Sequence, residues 1–318
     1  MTLDELVSKA GGGEAEVEAI PFPSLDVLHK ACGSIPRTRD MTAGLERLFL
    51  DVKDPIKVVL DPLTQPLSWA LRNAIETMQS LPWWAAIIIL VLIAQLAGRR
   101  VGVTLFVLAS FLGLAFIDHF AYAMQTLAII LVCTLICVLI GVPIGIAMSR
   151  SNVLERWLTP MLDMLQTLPT FVYLIPLIFL FSVTEPKLYG IAIILYAIVP
   201  AIRLTNLGIR LVDADVLEAA DAFGMTSRQK LLRVQLPLAL PNIMAGINQT
   251  IMLSLSMVVI ASLVSAPGLG TLVLRGINKL ELGVGLVAGL GIVILAIVLD
   301  RVSRAALQRV NKMHQPGA

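Results

Sequence analysis

The sequence predicts an all-α integral membrane protein with about seven membrane spans and amphipathic helices ahead of the first span. Of the 318 residues, 57% are hydrophobic and 14% are charged, and the mean hydropathy is +0.86. A soluble domain of ordinary composition carries about 25% charged residues. The apolar residues gather in stretches close to the roughly 20 residues that a helix needs to cross a bilayer. The composition therefore excludes an ordinary soluble protein, and the lipid bilayer is the first expected partner.

The polar N-terminal region precedes the first span. We expect residues 1–44 to form a polar, partly mobile tail. Residues 45–80 are expected to form amphipathic helices at the membrane interface, because apolar residues recur there at helical spacing with charges between them. Pro55, Pro62 and Pro66 are expected to break this region into pieces. A small soluble helical cap is the alternative.

Seven apolar stretches are the candidate spans. The first two are short and are joined by Gly98-Arg99-Arg100, so residues 81–117 are expected to form a peripheral transmembrane hairpin. The later spans make up a permease core over residues 118–305, and residues 306–318 form a C-terminal tail. The seven stretches cover about residues 82–98, 101–117, 121–148, 161–183, 188–209, 239–265 and 282–300.

Proline marks the later spans. Pro169 and Pro176 interrupt the fourth span, and Pro200 interrupts the fifth. A membrane helix tolerates such breaks only where other helices or water satisfy the freed carbonyl groups. Spans four to six are therefore predicted to be the packed core that forms the solute path.

Basic residues in the connections predict the orientation of the chain. One set of connections carries thirteen basic residues, and the opposite set carries three, namely Lys187, Arg275 and Lys279. Basic residues accumulate on the cytoplasmic side of a membrane protein. The C-terminus and the connection between spans five and six are therefore predicted to be cytoplasmic, and the N-terminal region is predicted to lie outside.

The segment from Glu218 to Pro237, EAADAFGMTSRQKLLRVQLP, is polar and basic although it lies between the fifth and sixth spans. It is too short to be a domain, and its residues favour helices. We interpret it as two short helices that dock another protein, with Pro237 at the junction to the next span. A plain solvated loop is the alternative.

Capping patterns predict where these two helices begin and end. Asp215 and Glu218 have the spacing of a capping box, so Asp215 is expected to cap the first helix. Gly224 is well placed to end that helix, since glycine adopts the left-handed conformation without strain. Thr226 is expected to cap the second helix together with Gln229.

The same segment resembles the EAA signature of bacterial ABC importer permeases. The resemblance is carried by EAA from Glu218, by Gly224 and by VQLP ending at Pro237, where Val234 stands in place of the usual isoleucine.

Longer stretches are similar to the glycine betaine/proline betaine permeases of ProU type. They include residues 162–181, LDMLQTLPTFVYLIPLIFLF, and residues 234–264, VQLPLALPNIMAGINQTIMLSLSMVVIASLV. The similarity covers about residues 60–305. It implies the transmembrane domain of a type I ABC importer in the bacterial inner membrane.

The resemblance also implies partners. Such a permease works as a homodimer with two ATP-binding ABC subunits, and a periplasmic or lipid-anchored substrate-binding protein delivers the solute. ATP and Mg are bound by the partner ATPase. In the family the segment over residues 213–237, named here the coupling loop, seats on that ATPase. The positions that carry this role by resemblance are Asp215, Glu218, Ala219, Ala220, Gly224, Thr226, Arg228 and Pro237.

The residues agree that the energy comes from a partner. The sequence contains no GxxxxGK[ST] pattern, so the chain is not expected to bind ATP in the P-loop manner. No Cys/His cluster has the spacing of metal ligands. We therefore predict a transport subunit that is not an enzyme, with no catalytic residues, cofactor, metal or nucleic-acid partner.

Neutral polar residues in the fourth and sixth spans are the candidates for the solute path. A secondary carrier often places an ionisable group at mid-membrane, and none is evident here, which argues against that class. Phe171 and Tyr173 would offer aromatic surface to a quaternary ammonium group. Hydrogen bonding between helices is the alternative role. The candidates are Gln166, Thr167, Thr170, Phe171, Tyr173, Asn248, Gln249, Ser254 and Ser256.

Residues 265–283 contain Pro267 and four glycines, and we expect an outward loop with a short helix or a re-entrant segment. Gly268 and Gly270 are candidates for contact with the binding protein or for a gate at the outer mouth. A role as ordinary turn residues is the alternative.

The predicted function is import of glycine betaine or a related quaternary-ammonium compatible solute, in which closure of the ATPase drives alternating access. The same architecture could instead import choline, carnitine, histidine or another amino-acid-like solute. A secondary carrier that needs no ATPase is a distant alternative.

Overall fold

The computed structural model describes residues 38–314, and every regular element in this range is helical. Within this range, residues 38–56 belong to one compact unit and residues 57–314 belong to a second. The α-helices are α1 (Thr38–Ser80), α2 (Trp83–Gly98), α3 (Val101–Phe116), α4 (Phe120–Arg150), α5 (Asn152–Thr167), α6 (Leu174–Leu180), α7 (Pro186–Arg210), α8 (Ala214–Ala222), α9 (Ser227–Lys230), α10 (Leu236–Ala261), α11 (Leu269–Asn278) and α12 (Leu282–His314).

Four helices in the described part of the chain are long and apolar enough to cross a membrane. Up to six spans result if each of two bent helix pairs, α1 with α2 and α5 with α6, counts as one span. Helix α3 is apolar but shorter, with 16 residues. The prediction of an all-α membrane protein is confirmed. The four long spans are Phe120–Arg150, Pro186–Arg210, Ser227–Val264 and Leu282–Arg309.

Helices α2 and α3 form the hairpin that was predicted around Gly98-Arg99-Arg100. Arg99 adopts a positive φ of 47° at the turn, and Thr104 Oγ1 donates a hydrogen bond to Gln95 Oε1 at 2.6 Å across the hairpin. A Cβ atom at Gly98 would lie 2.5 Å from Ala305 Cβ. The basic turn therefore lies against the end of α12 that carries the C-terminal basic residues.

The fourth stretch, over about residues 161–183, is interrupted near Pro169 as the sequence predicts, and the break is a sharp bend. Helix α5 ends at Thr167, a 3-10 turn covers Thr170–Tyr173, and the two helical segments meet at an angle of 106°. Leu168 and Pro169 both have extended backbone, with ψ of 133°. The proline ring disfavours the helical conformation of the residue before it, which explains a break at this point.

The prediction that prolines divide the region before the first span into pieces is wrong. Pro55, Pro62 and Pro66 all lie inside α1. A proline removes a single backbone donor, and packing can offset that loss. Leu71 is fully buried, and its Cδ1 would lie 2.7 Å from a Cβ atom at Gly190 of α7. This contact stabilises the helix after the prolines.

The centre of the second unit is α7, which packs against α4 and α10. Small residues permit the close approach of these helices. A Cβ atom at Gly145 of α4 would lie 2.6 Å from the carbonyl oxygen of Ile202, and one at Gly246 of α10 would lie 3.0 Å from that of Pro200. Ala197 and Ala201 of α7 are fully buried. Close contacts between small residues are a usual way for membrane helices to associate.

Candidate coupling loop and solute path

The N-cap of helix α8 lies two residues earlier than the sequence pattern predicts. Asp213 is the N-cap residue, and its Oδ1 accepts a hydrogen bond from the backbone N–H of Asp215 at 3.0 Å. The prediction that Asp215 caps the helix in a box with Glu218 is therefore wrong. Asp213 has the extended backbone that a cap requires, with φ −54° and ψ 133°. Asp215 lies in the first turn, where its charge favours the helix dipole.

The first helix of the coupling loop ends at Gly224 as predicted. Gly224 has φ +71°, and its N–H donates to the carbonyl oxygen of Asp221 at 2.9 Å. The N–H of Met225 donates to the carbonyl oxygen of Ala220 at 3.1 Å. This pair of bonds is the Schellman arrangement, which reverses the chain direction sharply after a helix. Phe223 at this turn is 85% exposed.

The cap of the second helix is confirmed. The N–H of Gln229 donates to Thr226 Oγ1 at 3.4 Å, and the N–H of Thr226 donates to Gln229 Oε1 at 2.9 Å. Lys230 forms an ion pair with Asp221 of the first helix at 2.6 Å. The coupling loop is therefore an ordered elbow whose two arms are joined by a salt bridge.

The second helix of the elbow is not separate from the next span, and Pro237 does not interrupt it. The helix runs without a break over Ser227–Val264. Between α9 and α10 the bonding shifts to a π-helical pattern, in which the N–H of Leu236 donates to the carbonyl oxygen of Leu231. The hydrogen bonds in this turn join residues five positions apart instead of four. The change comes directly before Pro237, which has no backbone N–H to donate. One continuous helix, Ser227–Val264, therefore joins the elbow to the core, and it is called the rod below.

Most candidate docking residues lie on the surface of the elbow. Glu218, Ala219 and Arg228 are exposed, whereas Ala220 is 4% exposed and faces the protein. The exposed Phe223 adds apolar surface to an otherwise polar segment. A polar elbow with one projecting aromatic side chain has the composition of a protein-binding surface.

A polar network that the sequence reasoning missed joins α5 and α7 to the end of α4, just before the elbow begins. Arg210, at the end of α7, forms an ion pair with Glu155 of α5 at 3.0 Å and donates to the carbonyl oxygen of Met148 at 3.0 Å. Asn206 donates to Glu155 Oε1 at 2.8 Å and accepts from Arg210 Nε at 3.0 Å. Asn206 is 8% exposed. The available signal was the pair of polar residues four positions apart near the end of an apolar span.

The candidate path residues of the fourth stretch are divided by the bend. Tyr173 is buried, donates to the carbonyl oxygen of Leu165, and packs edge-on against Tyr196 with ring centroids 6.5 Å apart. Thr170 is half-buried and Phe171 is 58% exposed. The remaining two candidates, Gln166 and Thr167, are exposed at the end of α5.

The candidate path residues of the sixth stretch lie on two different sides of α10. Ser254 is fully buried and accepts a hydrogen bond from Thr134 of α4 at 3.5 Å, as interhelical bonding would require. Gln249 and Ser256 are exposed. Asn248 is half-buried and bonds to the last helix. Asn248 and Gln249 line a cavity between α10 and α12.

The outer loop contains the short helix that was predicted, α11. The N–H of Leu269 donates to Thr126 Oγ1 of α4 at 2.9 Å. Gly268 has φ +123°, and a Cβ atom there would lie 2.3 Å from Thr126 Oγ1. A Cβ atom at Gly270 would lie 2.2 Å from Ser262 Oγ. Close packing therefore explains Gly270, whereas Gly268 is required both by close packing and by its positive φ.

Comparison with protein families gives a match over residues 138–312 to the family described as binding-protein-dependent transport system inner membrane component. The matched range contains the whole elbow and all of the candidate path residues.

Three similar proteins have reviewed descriptions. The glycine betaine/proline betaine transport system permease protein ProW of Escherichia coli (strain K12) is 42% identical over 303 residues, which cover 93% of this chain and 83% of the relative. The glycine betaine transport system permease protein OpuAB of Bacillus subtilis (strain 168) is 46% identical, covering 64% and 72%. The glycine betaine/carnitine transport permease protein GbuB of Listeria monocytogenes serotype 1/2a (strain 10403S) is 45% identical, covering 70% and 80%.

Among solved structures, a chain of the MetNI methionine ABC transporter in an inward-facing conformation is similar in fold. The TM-score is 0.54 at 20% sequence identity, and the match covers 59% of this chain and 94% of that chain. A second crystal form of the same transporter gives a TM-score of 0.52. The predicted fold of a type I ABC importer transmembrane domain is confirmed.

Proposed function

This chain belongs to the family of binding-protein-dependent transport system inner membrane components, and we propose that it imports glycine betaine or a related quaternary-ammonium solute. It is a permease subunit of an ABC importer and not itself an enzyme. The observation that carries the solute class is the 42% identity to a glycine betaine/proline betaine permease over 93% of the chain.

In the proposed assembly two copies of this chain pair in the membrane, and two ATP-binding subunits dock on the elbows. A substrate-binding protein delivers the solute to the opposite face. ATP and Mg are bound by the docked subunits, so the work enters this chain through the elbow. The exposed Glu218, Ala219 and Phe223 support this docking role.

Two features of the elbow are suited to passing its movement to the membrane. The helix over Ser227–Val264 is continuous, so a displacement of its first turns tilts the whole rod. Arg210 leads directly into the elbow and is bonded to both Glu155 and Asn206. Displacement of the elbow is therefore expected to move α5 and α7 together and to alter the bend after Thr167.

The proposed orientation places the elbow and the C-terminus in the cytoplasm and the N-terminal region outside. The packing of Gly98 against Ala305 supports it, because the basic hairpin turn and the basic end of α12 lie on one side. Arg228→Cys and Lys279→Cys, each made together with Cys32→Ser, test it in sealed right-side-out vesicles. A membrane-impermeant thiol reagent should label the second and not the first, and the reverse pattern would contradict the orientation.

Reconstitution with the partner subunits tests the proposed function. The complex in liposomes should hydrolyse ATP faster when solute-loaded binding protein is added, and should then take up glycine betaine. Glu218→Lys should weaken ATPase association and abolish this stimulation. Glu76→Lys is the matched control, since Glu76 is exposed and lies outside the coupling loop. Uptake that follows an ion gradient without nucleotide would support a secondary carrier instead.

Carnitine is a second candidate solute, because the relative from Listeria monocytogenes is described as a glycine betaine/carnitine permease. Calorimetry of the cognate binding protein with glycine betaine, carnitine, choline and histidine separates the candidates. We expect tight binding of glycine betaine, and preference for histidine would overturn the proposed solute class.

A further inference from the structure

A cavity between α10 and the C-terminal half of α12 is lined by polar and charged side chains. Its volume is about 640 Å³, within the usual range of about 300–1,000 Å³ for ligand pockets. The cavity lies at the basic end of α12, close to Ala305, on the side that the proposed orientation makes cytoplasmic. The polar lining consists of Asn248, Gln249, Asp300, Ser303 and Arg304.

Hydrogen bonds fix the carboxylate of this cavity in place. Asn248 Nδ2 donates to Asp300 Oδ1 at 3.2 Å, and Arg304 Nε donates to the same oxygen at 2.8 Å. Ser303 Oγ donates to Asn248 Oδ1 at 2.5 Å. No described residue donates to Asp300 Oδ2. This oxygen is therefore free to face a cation in the cavity.

The rest of the cavity offers complementary chemistry. The Arg304 side chain is 66% exposed and keeps terminal guanidinium donors that can bind a carboxylate. The exposed amide of Gln249 makes no hydrogen bond to any described residue. Met244 and Met252 line the wall, and their polarizable thioethers suit the methyl groups of a quaternary ammonium. A small zwitterion matches this combination better than a simple cation or anion does.

We propose that this cavity is a binding site for the transported zwitterion within the permease. Asp300 faces the quaternary ammonium group, and Arg304 binds the carboxylate, while Gln249 lines the cavity beside them. The inference rests on the proposed function, which it extends by naming the residues that hold the solute.

The position of Asn248 explains how such a site could be emptied. Asn248 lies on the rod that continues from the elbow, whereas Asp300 and Ser303 lie on α12. A displacement of the rod changes the distance between Asn248 and Asp300, and so alters the geometry of the site. Binding and release of the solute would thereby depend on the state of the elbow.

Protection of an introduced thiol tests the site in the complete transporter. Gln249→Cys is made together with Cys32→Ser, since the native Cys133 and Cys137 are buried. The probe is a methanethiosulfonate reagent that carries a trimethylammonium group. Glycine betaine should slow the labelling several-fold, whereas choline, which lacks the carboxylate, and sucrose at the same concentration should slow it less.

Ser256→Cys in the same background is the matched control, because Ser256 is exposed on the same helix but does not line the cavity. Glycine betaine should leave its labelling rate unchanged. Equal protection of both cysteines would reveal a general conformational change and overturn the site. Failure of the reagent to label Gln249→Cys at all would show that the cavity is closed, which would also overturn it.

Two further variants assign the charges. Asp300→Asn in the Gln249→Cys background should abolish the protection by glycine betaine, and full protection would contradict the role of the carboxylate. Arg304→Gln, at an exposed side chain, should narrow the difference between glycine betaine and choline even if Asp300→Asn fails to fold. An unchanged difference would contradict the role of the guanidinium.

The same preparations separate this inference from the proposed function. ATP hydrolysis stimulated by loaded binding protein, without any protection of Gln249→Cys, would overturn the site alone. Absence of stimulation in the transporter with native Gln249 would overturn the proposed function itself.

Discussion

Replacing Gly145 by alanine tests whether α4 and α7 are packed as closely as the structure shows. A Cβ atom at this position would lie 2.6 Å from the carbonyl oxygen of Ile202 and 2.7 Å from Thr205 Cβ. An ordinary contact between carbon and oxygen is about 3.3–3.6 Å, so the helices would have to separate by roughly 0.7–1 Å. A backbone carbonyl in the middle of α7 cannot rotate away, and the cost therefore falls on the helix interface.

The expected magnitude follows from two opposing effects. Overpacking of a close contact costs about 1–3 kcal/mol. Alanine favours a helix interior over glycine by about 0.8–1 kcal/mol. The free energy of unfolding should therefore fall by up to about 2 kcal/mol relative to the parent, and by about 1–3 kcal/mol relative to glycine-to-alanine variants without the clash. The midpoint of thermal unfolding should fall by about 2–4 °C for each kcal/mol.

The assay is thermal unfolding of the purified protein in detergent, followed by loss of the monodisperse peak on gel filtration. Gly113→Ala and Gly289→Ala are the matched controls, because nothing lies within 4 Å of a Cβ atom at either position. The controls should be as stable as the parent protein or slightly more stable. Equal behaviour of Gly145→Ala and the two controls would refute the close contact between α4 and α7.

Three other predictions follow from single contacts. Gly224→Ala introduces strain of about 1–2 kcal/mol at φ +71° without any steric clash, so it should weaken ATPase association in pull-down assays. Gly224→Asn should restore part of the association, because asparagine tolerates the left-handed conformation better than alanine does. Equal association of the parent and both variants would contradict the left-handed turn. Thr126→Val removes the buried acceptor of the Leu269 N–H and should lower the free energy of unfolding by about 1–3 kcal/mol, whereas a neutral result would contradict that bond. Lys187→Met removes the 2.6 Å ion pair that joins α7 to Asp61 of α1, so proteolysis of α1 in membranes should increase. An unchanged rate of proteolysis would show that apolar contacts alone hold α1.

The sequence was sufficient where the deciding interactions are local. The turn at Gly224 and the cap formed by Thr226 with Gln229 join residues three to five positions apart, so their chemistry is legible in a short window. The cap at Asp213 shows the limit of such patterns. Asp213 and Asp215 are both suitable N-cap residues, and only the backbone conformation shows that Asp213 is the cap.

Long-range packing decided the features that the sequence reasoning missed or misplaced. Arg210 meets Glu155 across 55 positions, a pairing that no spacing rule reveals. The contact of Leu71 with Gly190 stabilises α1 after its prolines, although local propensity predicts separate pieces.

By itself the sequence determined an α-helical membrane protein, the basic side of its connections and the capped elbow, because hydropathy, charge and caps act within a few residues. Only the tertiary structure decided that the elbow continues as a rod into the core, that the proline break in the fourth stretch is a bend of 106°, and that Asn248 meets Asp300. These outcomes depend on which helices lie side by side, and neighbouring helices are chosen by packing over the whole chain.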